Sequence, residues 1–273
     1  MARTRLAVWG DPIGHSKSPV LHAAAYDVLG LDWRYERRRV DAALFDEALS
    51  ALDAEWRGLS LTMPLKEVAF RAAASHDAHA ELTGAVNTVL LGESIRGFNT
   101  DVGGIVDALA EHGLAGASRV RILGAGATAA SALVATAESG AHDVEVRARR
   151  PERGAPLTAL GERLGIRVSI AAFDDAATDV DLTVATLPSG TALPEDSVDR
   201  LSAAGGALFD AAYAPWPSAL AGAWQGTAVS GLGMLLHQAV RQIRIFLHGT
   251  PTDALPNEPA VVDAMRAALA DAS

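Results

Sequence analysis

The sequence feature that most constrains the fold is the segment RVRILGAGATAASALVATAESG, residues 119–140. It begins with a short apolar run, passes through a glycine turn, and continues with a longer alanine-rich run that stops at Gly140. A short apolar run that ends at glycine is typical of a buried strand, and the longer run is typical of a helix. The segment therefore predicts a strand–turn–helix unit of a parallel α/β sheet.

The turn in this segment has the spacing G-x-G-x-x-A, with Gly124, Gly126 and Ala129 at the fixed positions. In such a turn the first glycine permits the tight bend, the second lets a pyrophosphate approach the backbone, and the small third residue lets helix and strand pack closely. Free N–H groups at the helix start then hold the phosphates. The strand before the motif and the helix after it favour a dinucleotide site over an ordinary glycine turn, which is the alternative.

The end of the next predicted strand, in VRARRPER, discriminates between the two nicotinamide dinucleotides. An NAD site carries an acidic residue about 20 residues after the glycines, where it binds the ribose 2′-hydroxyl. This chain has Arg149 and Arg150 there, with Arg147 and Arg153 beside them. A guanidinium suits a 2′-phosphate by charge and by its fork of donors. The sequence predicts NADP(H) rather than NAD(H), the alternative being a solvent-exposed basic turn.

Short strands and helices alternate along the rest of the chain, which indicates an α/β fold with mostly parallel sheets. Ser18, Pro19 and Gly30 are predicted to be the N-cap, the first residue and the stop of the first helix. A hairpin is predicted around Gly92, and the C-terminal part is predicted to be helical. The other predicted elements are strands at 5–10, 33–40, 57–62, 143–150, 180–188 and 206–213, a helix at 43–52, and a last helix from about Pro259 to Leu269.

Composition excludes several classes of function. The chain has 273 residues, a formal net charge of −10 and no cysteine. Its length favours two domains, its acidity argues against nucleic-acid binding, and without cysteine it forms no disulfide and no cysteine-ligated metal site. No apolar run approaches the ~18 residues that span a bilayer, and MARTRLAVWG lacks the apolar region of a secretory signal. We expect a cytoplasmic protein with no metal, no nucleic-acid partner and no membrane partner.

Two serines, Ser16 and Ser18, stand at the predicted start of the first helix in GDPIGHSKSPVLH, residues 10–22. Two hydroxyls beside the free N–H groups of a helix start suit a small carboxylate. In the alternative interpretation Ser18 only caps the helix and Ser16 faces water.

A lysine follows the third predicted strand in SLTMPLKE. We expect Pro64 to be the first helical residue, which places Lys66 inside the first turn. A cation there opposes the helix dipole, so this unfavourable position supports a functional lysine, the alternative being an ordinary surface residue. Thr62 stands at the end of the preceding strand.

Short polar side chains flank the predicted hairpin: Asn87, Asn99, Thr100 and Asp101. Asp101 suits a helix N-cap, and it equally suits a carboxylate that orients Lys66. We expect the serine, lysine and asparagine–aspartate stretches to place their polar groups at the carboxyl ends of predicted strands, where open α/β sheets bind ligands.

These stretches together resemble the shikimate dehydrogenase family over nearly the whole chain. The resemblance rests on eight motifs in the family's order: HSKSP, LTMPLK, GAVNT, GFNTDVGG, GAGATAA, ATLPSG, FDAAYAP and GLGMLLHQA. It implies a reversible reduction of 3-dehydroshikimate to shikimate, with hydride from C4 of NADPH. It also implies an α/β substrate domain with a mostly parallel sheet, residues 1–103 completed by the C-terminal helices of 233–273, and a Rossmann-type NADP-binding domain, residues 104–232.

The resemblance also implies roles for individual residues. Lys66 is expected to donate a proton to the developing alkoxide while Asp101 holds and polarises it. Ser16 and Ser18 are expected to bind the substrate carboxylate with help from Tyr213. The other expected substrate ligands are Thr62, Lys66, Asn87, Asp101 and Gln238. The expected cofactor residues are Gly124, Ala125, Gly126, Ala127, Thr128, Ala148, Arg149, Arg150, Arg153, Thr186, Ala211, Gly231 and Met234.

Some positions depart from the family pattern without removing any predicted substrate or catalytic group. Asn is usual at two of these positions, where the chain has Ser60 and Ala148, and common at a third, where it has Ala185. Arg150 replaces Thr, and Thr128 replaces a small residue. The last four of these lie at the expected cofactor site and are expected to change cofactor affinity. The alternatives are a quinate/shikimate dehydrogenase with NAD use and a non-catalytic ligand sensor of the same family. Both a monomer and a homodimer remain open.

Overall fold

Short strands and helices alternate throughout the structure, a computed structural model that describes residues 4–272. In chain order the elements are β1 (Thr4–Gly10), α1 (Ser18–Leu29), β2 (Trp33–Arg39), α2 (Phe45–Ser50), β3 (Trp56–Leu61), α3 (Lys66–Ala72), β4 (Ser75–His76), α4 (Ala78–Thr83), β5 (Thr88–Leu90), β6 (Arg96–Phe98), α5 (Thr100–Glu111), β7 (Arg119–Leu123), α6 (Ala127–Glu138), β8 (Asp143–Arg147), a 3-10 turn (Pro151–Gly154), α7 (Ala155–Leu164), β9 (Arg167–Ala171), β10 (Leu182–Ala185), α8 (Glu195–Ala203), β11 (Ala207–Asp210), α9 (Ala219–Gly222), β12 (Ala228–Ser230), α10 (Leu232–His248) and α11 (Glu258–Asp271).

These elements form two units. The first consists of the chain up to Thr100 and of everything from Leu235 onwards, and the second runs from Asp101 to Met234. Each unit contains one six-stranded sheet. The predicted α/β class, with two domains and mostly parallel sheets, is confirmed.

The sheet of the first unit has the strand order β2-β1-β3-β5-β6-β4. β1 lies parallel to both β2 and β3, whereas β5 and β6 form an antiparallel hairpin, as the sequence predicts around Gly92. The last five residues of β1 are buried, which fits a central strand with both faces covered. Trp9 of β1 packs edge-on against Phe45 of α2, with ring centroids 6.2 Å apart. Burying each such large apolar side chain contributes roughly 1.5–3 kcal/mol, so this core anchors the strand ends that carry the polar residues.

The sheet of the second unit has the order β12-β11-β10-β7-β8-β9, and all its neighbouring strands are parallel. This is the doubly wound order, in which β8 and β9 lie on one side of the first strand, β7, and β10, β11 and β12 lie on its other side. The order reverses between β7 and β10, and sheets of this kind bind ligands in the crevice at the carboxyl ends of those strands. Gly124 and Thr186 directly follow these two strands.

Two helix starts differ from the sequence prediction. Ser18 is the first residue of α1 rather than its N-cap, and Lys17 precedes it. A shift of one residue is ordinary at a helix end. The predicted stop at Gly30 is confirmed, because Gly30 has φ 66°, in the left-handed region that favours glycine.

The other difference concerns Pro64, which lies outside α3, because the helix begins at Lys66. The N–H of Leu65 donates to the carbonyl of Thr62 at 2.8 Å, so residues 62–65 form a turn before the helix. Lys66 nevertheless occupies the first turn of α3, as predicted.

Three strands were not predicted, namely β4, β9 and β12. All three lie at the edges of their sheets, and they are short or half-exposed. Such strands carry little of the apolar pattern from which a strand is recognised. None of the helices in residues 4–272 has the length and the apolarity that crossing a bilayer requires.

Candidate active site

The serine pair lies at the start of α1, directly after the loop that follows β1. The hydroxyl oxygens of Ser16 and Ser18 are 3.2 Å apart, and the N–H of Ser18 donates to Ser16 Oγ at 3.3 Å. Ser16 is 8% exposed and Ser18 is 5% exposed, so Ser16 does not face open water as the alternative supposed. Arg37 of β2 holds the loop by donating to the carbonyl of Gly14 at 2.8 Å. Two buried hydroxyl groups therefore lie next to each other at the start of a helix.

Lys66 belongs to a group of residues joined by backbone hydrogen bonds between the end of β3 and the start of β5. Its carbonyl accepts the N–H of Val86 at 2.9 Å, and the carbonyl of Asn87 accepts the N–H of Leu61 at 2.7 Å. Thr62 follows β3 directly, and the side chains of Thr62 and Lys66 are half-buried. The fold thus brings Thr62, Lys66 and Asn87 together, which are three of the predicted substrate ligands.

The loops after β1 and β3 are also joined. The N–H of Asp11 donates to the carbonyl of Met63 at 2.9 Å. One of these loops leads to the serine pair and the other leads to Lys66.

The side chain of Asn87 fixes the start of α5. Its Oδ1 accepts the N–H of Thr100 at 2.8 Å and lies 3.1 Å from the Thr100 hydroxyl, and its Nδ2 lies 2.9 Å from the same hydroxyl. Thr100 is the first residue of α5, so Asp101 is the second. Asp101 is therefore not the N-cap, and a carboxylate in the first turn is favoured by the helix dipole. Asn99 instead donates to Thr83 at 2.9 Å, which gives it a structural role.

The glycine turn of the second unit leaves open space above a helix start. Gly124 has φ 115°, and a Cβ there would lie 2.6 Å from Oγ1 of Thr186. Gly126 is the N-cap of α6, and a Cβ placed on it would meet nothing within 4 Å. The backbone N–H groups that follow, at Ala127 and Thr128, stand at the positive end of the helix. The residues therefore fit the pyrophosphate of a dinucleotide.

Three of the four predicted arginines lie exposed after β8. The N–H of Gly124 donates to the carbonyl of Arg147 at 2.8 Å, so the end of β8 adjoins the glycine turn. Arg149, Arg150 and Arg153 follow with exposed side chains, while Ala148 is buried. These guanidinium groups are accessible to a phosphate beside the turn.

Arg147 itself does not belong to this basic cluster, and that prediction is wrong. Its side chain is 0% exposed and pairs with Glu145 at 2.6 Å. It also donates to the carbonyls of Ala172, Asp175 and Ala176 at 2.6–2.9 Å. Strand alternation directs this side chain into the unit, because Arg147 is still a residue of β8.

The ends of β10, β11 and β12 bring two further predicted residues together. The N–H of Ala211 donates to the carbonyl of Ala185 at 2.9 Å, and the N–H of Gly231 donates to that of Ala212 at 3.2 Å. A Cβ on Gly231 would overlap the carbonyl group of Ala211, so only glycine permits this approach.

Asp210 shapes the loop that follows β11 and carries Tyr213. Its carboxylate accepts the N–H of Ala212 at 3.0 Å and the hydroxyl of Ser218 at 2.5 Å. Burial raises the pKa of Asp210, and these two hydrogen bonds oppose the rise. Tyr213 is half-buried, and Met234 is buried in the first turn of α10.

Known proteins resemble this chain over most of its length. A family model described as the shikimate dehydrogenase substrate binding domain matches residues 8–89. The shikimate dehydrogenase (NADP(+)) of Methanothermobacter thermautotrophicus is 33% identical over 261 residues, which cover 89% of this chain and 91% of that protein. The chain belongs to the shikimate dehydrogenase family.

Solved structures of shikimate dehydrogenases share the fold. That of Mycobacterium tuberculosis matches with a TM-score of 0.83 and 39% identity, over 96% of this chain and 99% of its own. The shikimate 5-dehydrogenase of Thermus thermophilus, in complex with NADP(H) and shikimate, matches with a TM-score of 0.79 and 31% identity, over 97% of this chain and 99% of its own.

The motifs shared with shikimate dehydrogenases did not reveal every polar residue near this site. Gln242 is 2% exposed in α10, one turn after the predicted ligand Gln238, and it accepts the hydroxyl of Ser60 at 2.7 Å. Ser60 is one of the departures from the family pattern. A signal was present in the sequence, because Gln238 and Gln242 interrupt the apolar stripe of α10 at a spacing of four.

Proposed function

We propose that this chain is an NADP-dependent shikimate dehydrogenase that reversibly reduces 3-dehydroshikimate to shikimate, a step toward aromatic amino acids. The observation that supports the proposal is that backbone hydrogen bonds join the segment of Thr62 and Lys66, after β3, to the segment of Asn87, before β5. The family supports the reaction, since the compared relatives are named shikimate dehydrogenases and one was solved with both ligands.

In this proposal Lys66 and Asp101 are the catalytic pair. The ammonium of Lys66 donates the proton that the developing alkoxide requires, and Asp101 orients and polarises that group. A positioned acid of this kind contributes about 10²–10⁴-fold to a rate. Asp101 stands in the first turn of α5, where the helix favours its negative charge.

The substrate is held by polar side chains. Ser16 and Ser18 donate to the carboxylate of shikimate, with Tyr213 assisting. The ring hydroxyls are bound by Thr62, Lys66, Asn87, Asp101 and Gln238. The burial of the serine pair supports this, because hydrogen bonds to a charged group are stronger where water is excluded.

NADPH, when bound, supplies the hydride from C4 of its nicotinamide. The turn Gly124–Thr128 holds the pyrophosphate through backbone N–H groups. Arg149, Arg150 and Arg153 bind the 2′-phosphate, next to Ala148. The remaining cofactor contacts in the proposal are Thr186, Ala211, Gly231 and Met234.

The division into domains follows the same proposal. Residues 1–103 with 233–273 bind the substrate, and residues 104–232 bind NADP(H). The enzyme acts in the cytoplasm as a monomer or a homodimer, without a metal or a nucleic-acid partner. The net charge of −10 supports the last point.

The test is turnover of defined substrates with each cofactor. NADPH oxidation is followed with 3-dehydroshikimate, NADP⁺ reduction is followed with shikimate and with quinate, and each assay is repeated with NADH or NAD⁺. We expect turnover of 3-dehydroshikimate and shikimate, and a preference for NADPH on the order of tenfold or more in kcat/KM, since a charge-assisted hydrogen bond is at stake. Equal rates with NADH would refute the cofactor assignment, and shikimate binding without turnover would favour the ligand sensor.

A further inference from the structure

Gln242 lies at the centre of a buried hydrogen-bond network in the first unit. Its Oε1 accepts the hydroxyl of Ser60 at 2.7 Å and lies 3.3 Å from Nε2 of His22. Its Nε2 lies 3.5 Å from the carbonyl of Asn87. One side chain of α10 thus reaches β3, α1 and the residue that precedes β5.

The hydrogen bonds of this network fit one arrangement of donors and acceptors. Nδ1 of His22 lies 2.9 Å from the hydroxyl of Tyr26. If Oε1 of Gln242 accepts from Ser60 and from His22 Nε2, then His22 Nδ1 accepts from Tyr26. The reversed amide would turn an oxygen toward the carbonyl of Asn87, and two acceptors would face each other. Burial lowers the pKa of His22 to about 3, opposed by the hydrogen bond to Gln242, which agrees with a neutral ring.

The partners of Gln242 stand close to proposed substrate ligands. His22 follows Ser18 by one turn of α1 and stacks on the ring of Tyr35 with centroids 3.8 Å apart. The hydroxyls of Ser60 and Ser18 neighbour the phenol of Tyr35 and oppose the rise in its pKa that burial causes. Ser60 itself precedes Thr62 by two residues of the same strand end.

We propose that Gln242 is a positioning residue for the substrate. Through Ser60, His22 and the carbonyl of Asn87, it fixes the elements that carry Ser18, Thr62 and Asn87. The inference rests on the proposed function, because it takes those three residues as shikimate ligands. A buried amide costs free energy unless its groups are bonded. A residue whose only role was packing would be apolar and would carry no such cost, so packing alone does not account for the buried amide of Gln242.

The variant Gln242→Met tests this inference, because methionine keeps the length of the side chain and removes the amide. The dissociation constant of shikimate is measured by titration calorimetry without cofactor, together with kcat and the KM of each substrate. We expect the Kd and KM of shikimate to rise about tenfold, since small displacements of binding groups are costly. The KM of NADP⁺ is expected to stay within twofold.

The matched control is Leu255→Ala, which truncates a buried residue of the same unit that takes no part in the network. It is expected to lower the melting temperature and to leave the Kd of shikimate unchanged. A shikimate Kd within twofold of wild type in Gln242→Met, or an equal rise in the control, would overturn the inference.

If Gln242→Met does not fold, Ser60→Ala replaces it as the test variant, because it removes the other partner of the 2.7 Å hydrogen bond between Ser60 and Gln242. A rise of threefold or more in the Kd of shikimate supports the inference, and a smaller change contradicts it. Turnover by the wild-type enzyme tests the proposed function separately, because Kd is read without turnover.

Discussion

The carboxyl ends of the two sheets carry different chemistry. In the first unit the strands lead to hydrogen-bonding side chains such as Ser18, Thr62 and Lys66. In the second unit they lead to Gly124 and Gly126, which offer backbone groups and open space. A small polyhydroxylated acid needs donors and acceptors at fixed points, whereas a pyrophosphate is met by the N–H groups of a helix start. In the proposed function, side chains therefore select the substrate and backbone groups hold the cofactor.

The two units also bury polar groups in different ways. The network around Gln242 is neutral, whereas the second unit buries two guanidinium groups, those of Arg121 and Arg147. Both pair with Glu145 at 2.6 Å, and Arg121 also donates to the carbonyl of Leu201 at the end of α8. In our proposal the neutral network orients the elements that bind the substrate. The charged network holds loops and a helix end to the sheet.

The largest effect is expected from Lys66→Ala in the first unit. Loss of the proton donor should lower kcat by about 10²–10⁴-fold in both directions, because a positioned acid contributes that much. Steady-state rates and a calorimetric titration of shikimate check this together. The Kd of shikimate is expected to change much less than kcat, because Lys66 is only one of several groups that bind the ring hydroxyls. A kcat within tenfold of wild type would refute the assigned role.

The next effect concerns stability, through Glu145→Gln in the second unit. Two buried cations would lose their counter-charge, and breaking a buried ion pair costs about 3–5 kcal/mol. Urea unfolding at pH 7 measures the loss. The control is Asp143→Asn, which breaks the exposed pair with Arg167 and should cost at most about 1 kcal/mol. Equal losses of stability in the two variants would show that the buried ion pairs contribute no more than the exposed one.

The same network has a defined pH dependence. Burial alone would raise the pKa of Glu145, but Arg147 and Arg121 outweigh it, and the pKa is lowered overall. The stability that this carboxylate contributes is therefore present above its unfolded pKa of about 4.5 and is lost as the pH falls further.

A smaller effect is expected from Arg149→Gln, which should weaken the binding of the cofactor and leave the binding of the substrate unchanged. The KM of NADPH should rise about 10–100-fold, because one charge-assisted contact to the 2′-phosphate is lost. The Michaelis constant for the substrate, 3-dehydroshikimate, and the rate with NADH should stay unchanged. Arg163→Gln removes another exposed arginine of the same unit and serves as the control. An identical response in both variants would mean that net charge alone matters.

A further effect is a slope in stability with pH, which is caused by His22 of the neutral network. Its folded pKa of about 3 lies below the ordinary 6.5, so its contribution is present above pH 6.5 and is lost as the pH falls. Between these values the loss is about 1.4 kcal/mol per pH unit. Unfolding at pH 4, 5 and 6 should show a shallower slope in His22→Gln than in wild type. Parallel curves would contradict the buried neutral histidine.

Local sequence signals were enough to predict much of the fold. The glycine turn at Gly124 and the left-handed stop at Gly30 are decided within a few residues, as is the hairpin around Gly92. The edge strands β4 and β9 were missed because little of their surface is buried, so they lack a clear apolar pattern.

The site was only partly predictable, because some of its contacts join distant parts of the chain. Ser60 and Gln242 are 182 residues apart in sequence, and nothing local to either one indicates their hydrogen bond. For Arg147 the prediction failed for the opposite reason, because the local sequence indicated a contact that the fold does not allow. Its neighbours in sequence indicate an exposed basic cluster, and its place in β8 directs it inward to Glu145.

The most direct test of whether side chains bind the substrate and backbone groups bind the cofactor is the affinity of shikimate and of NADP⁺. Each is measured alone in two variants. In Ser16→Ala/Ser18→Ala the Kd of shikimate should rise about 100-fold or more, since two hydrogen bonds to a carboxylate are lost, and the Kd of NADP⁺ should not change. In Gly126→Val the added side chain fills the space above the helix start, so NADP⁺ should bind on the order of tenfold more weakly while shikimate binds as before. If either variant weakened both ligands equally, or neither, the assignment of substrate to side chains and cofactor to backbone would be contradicted.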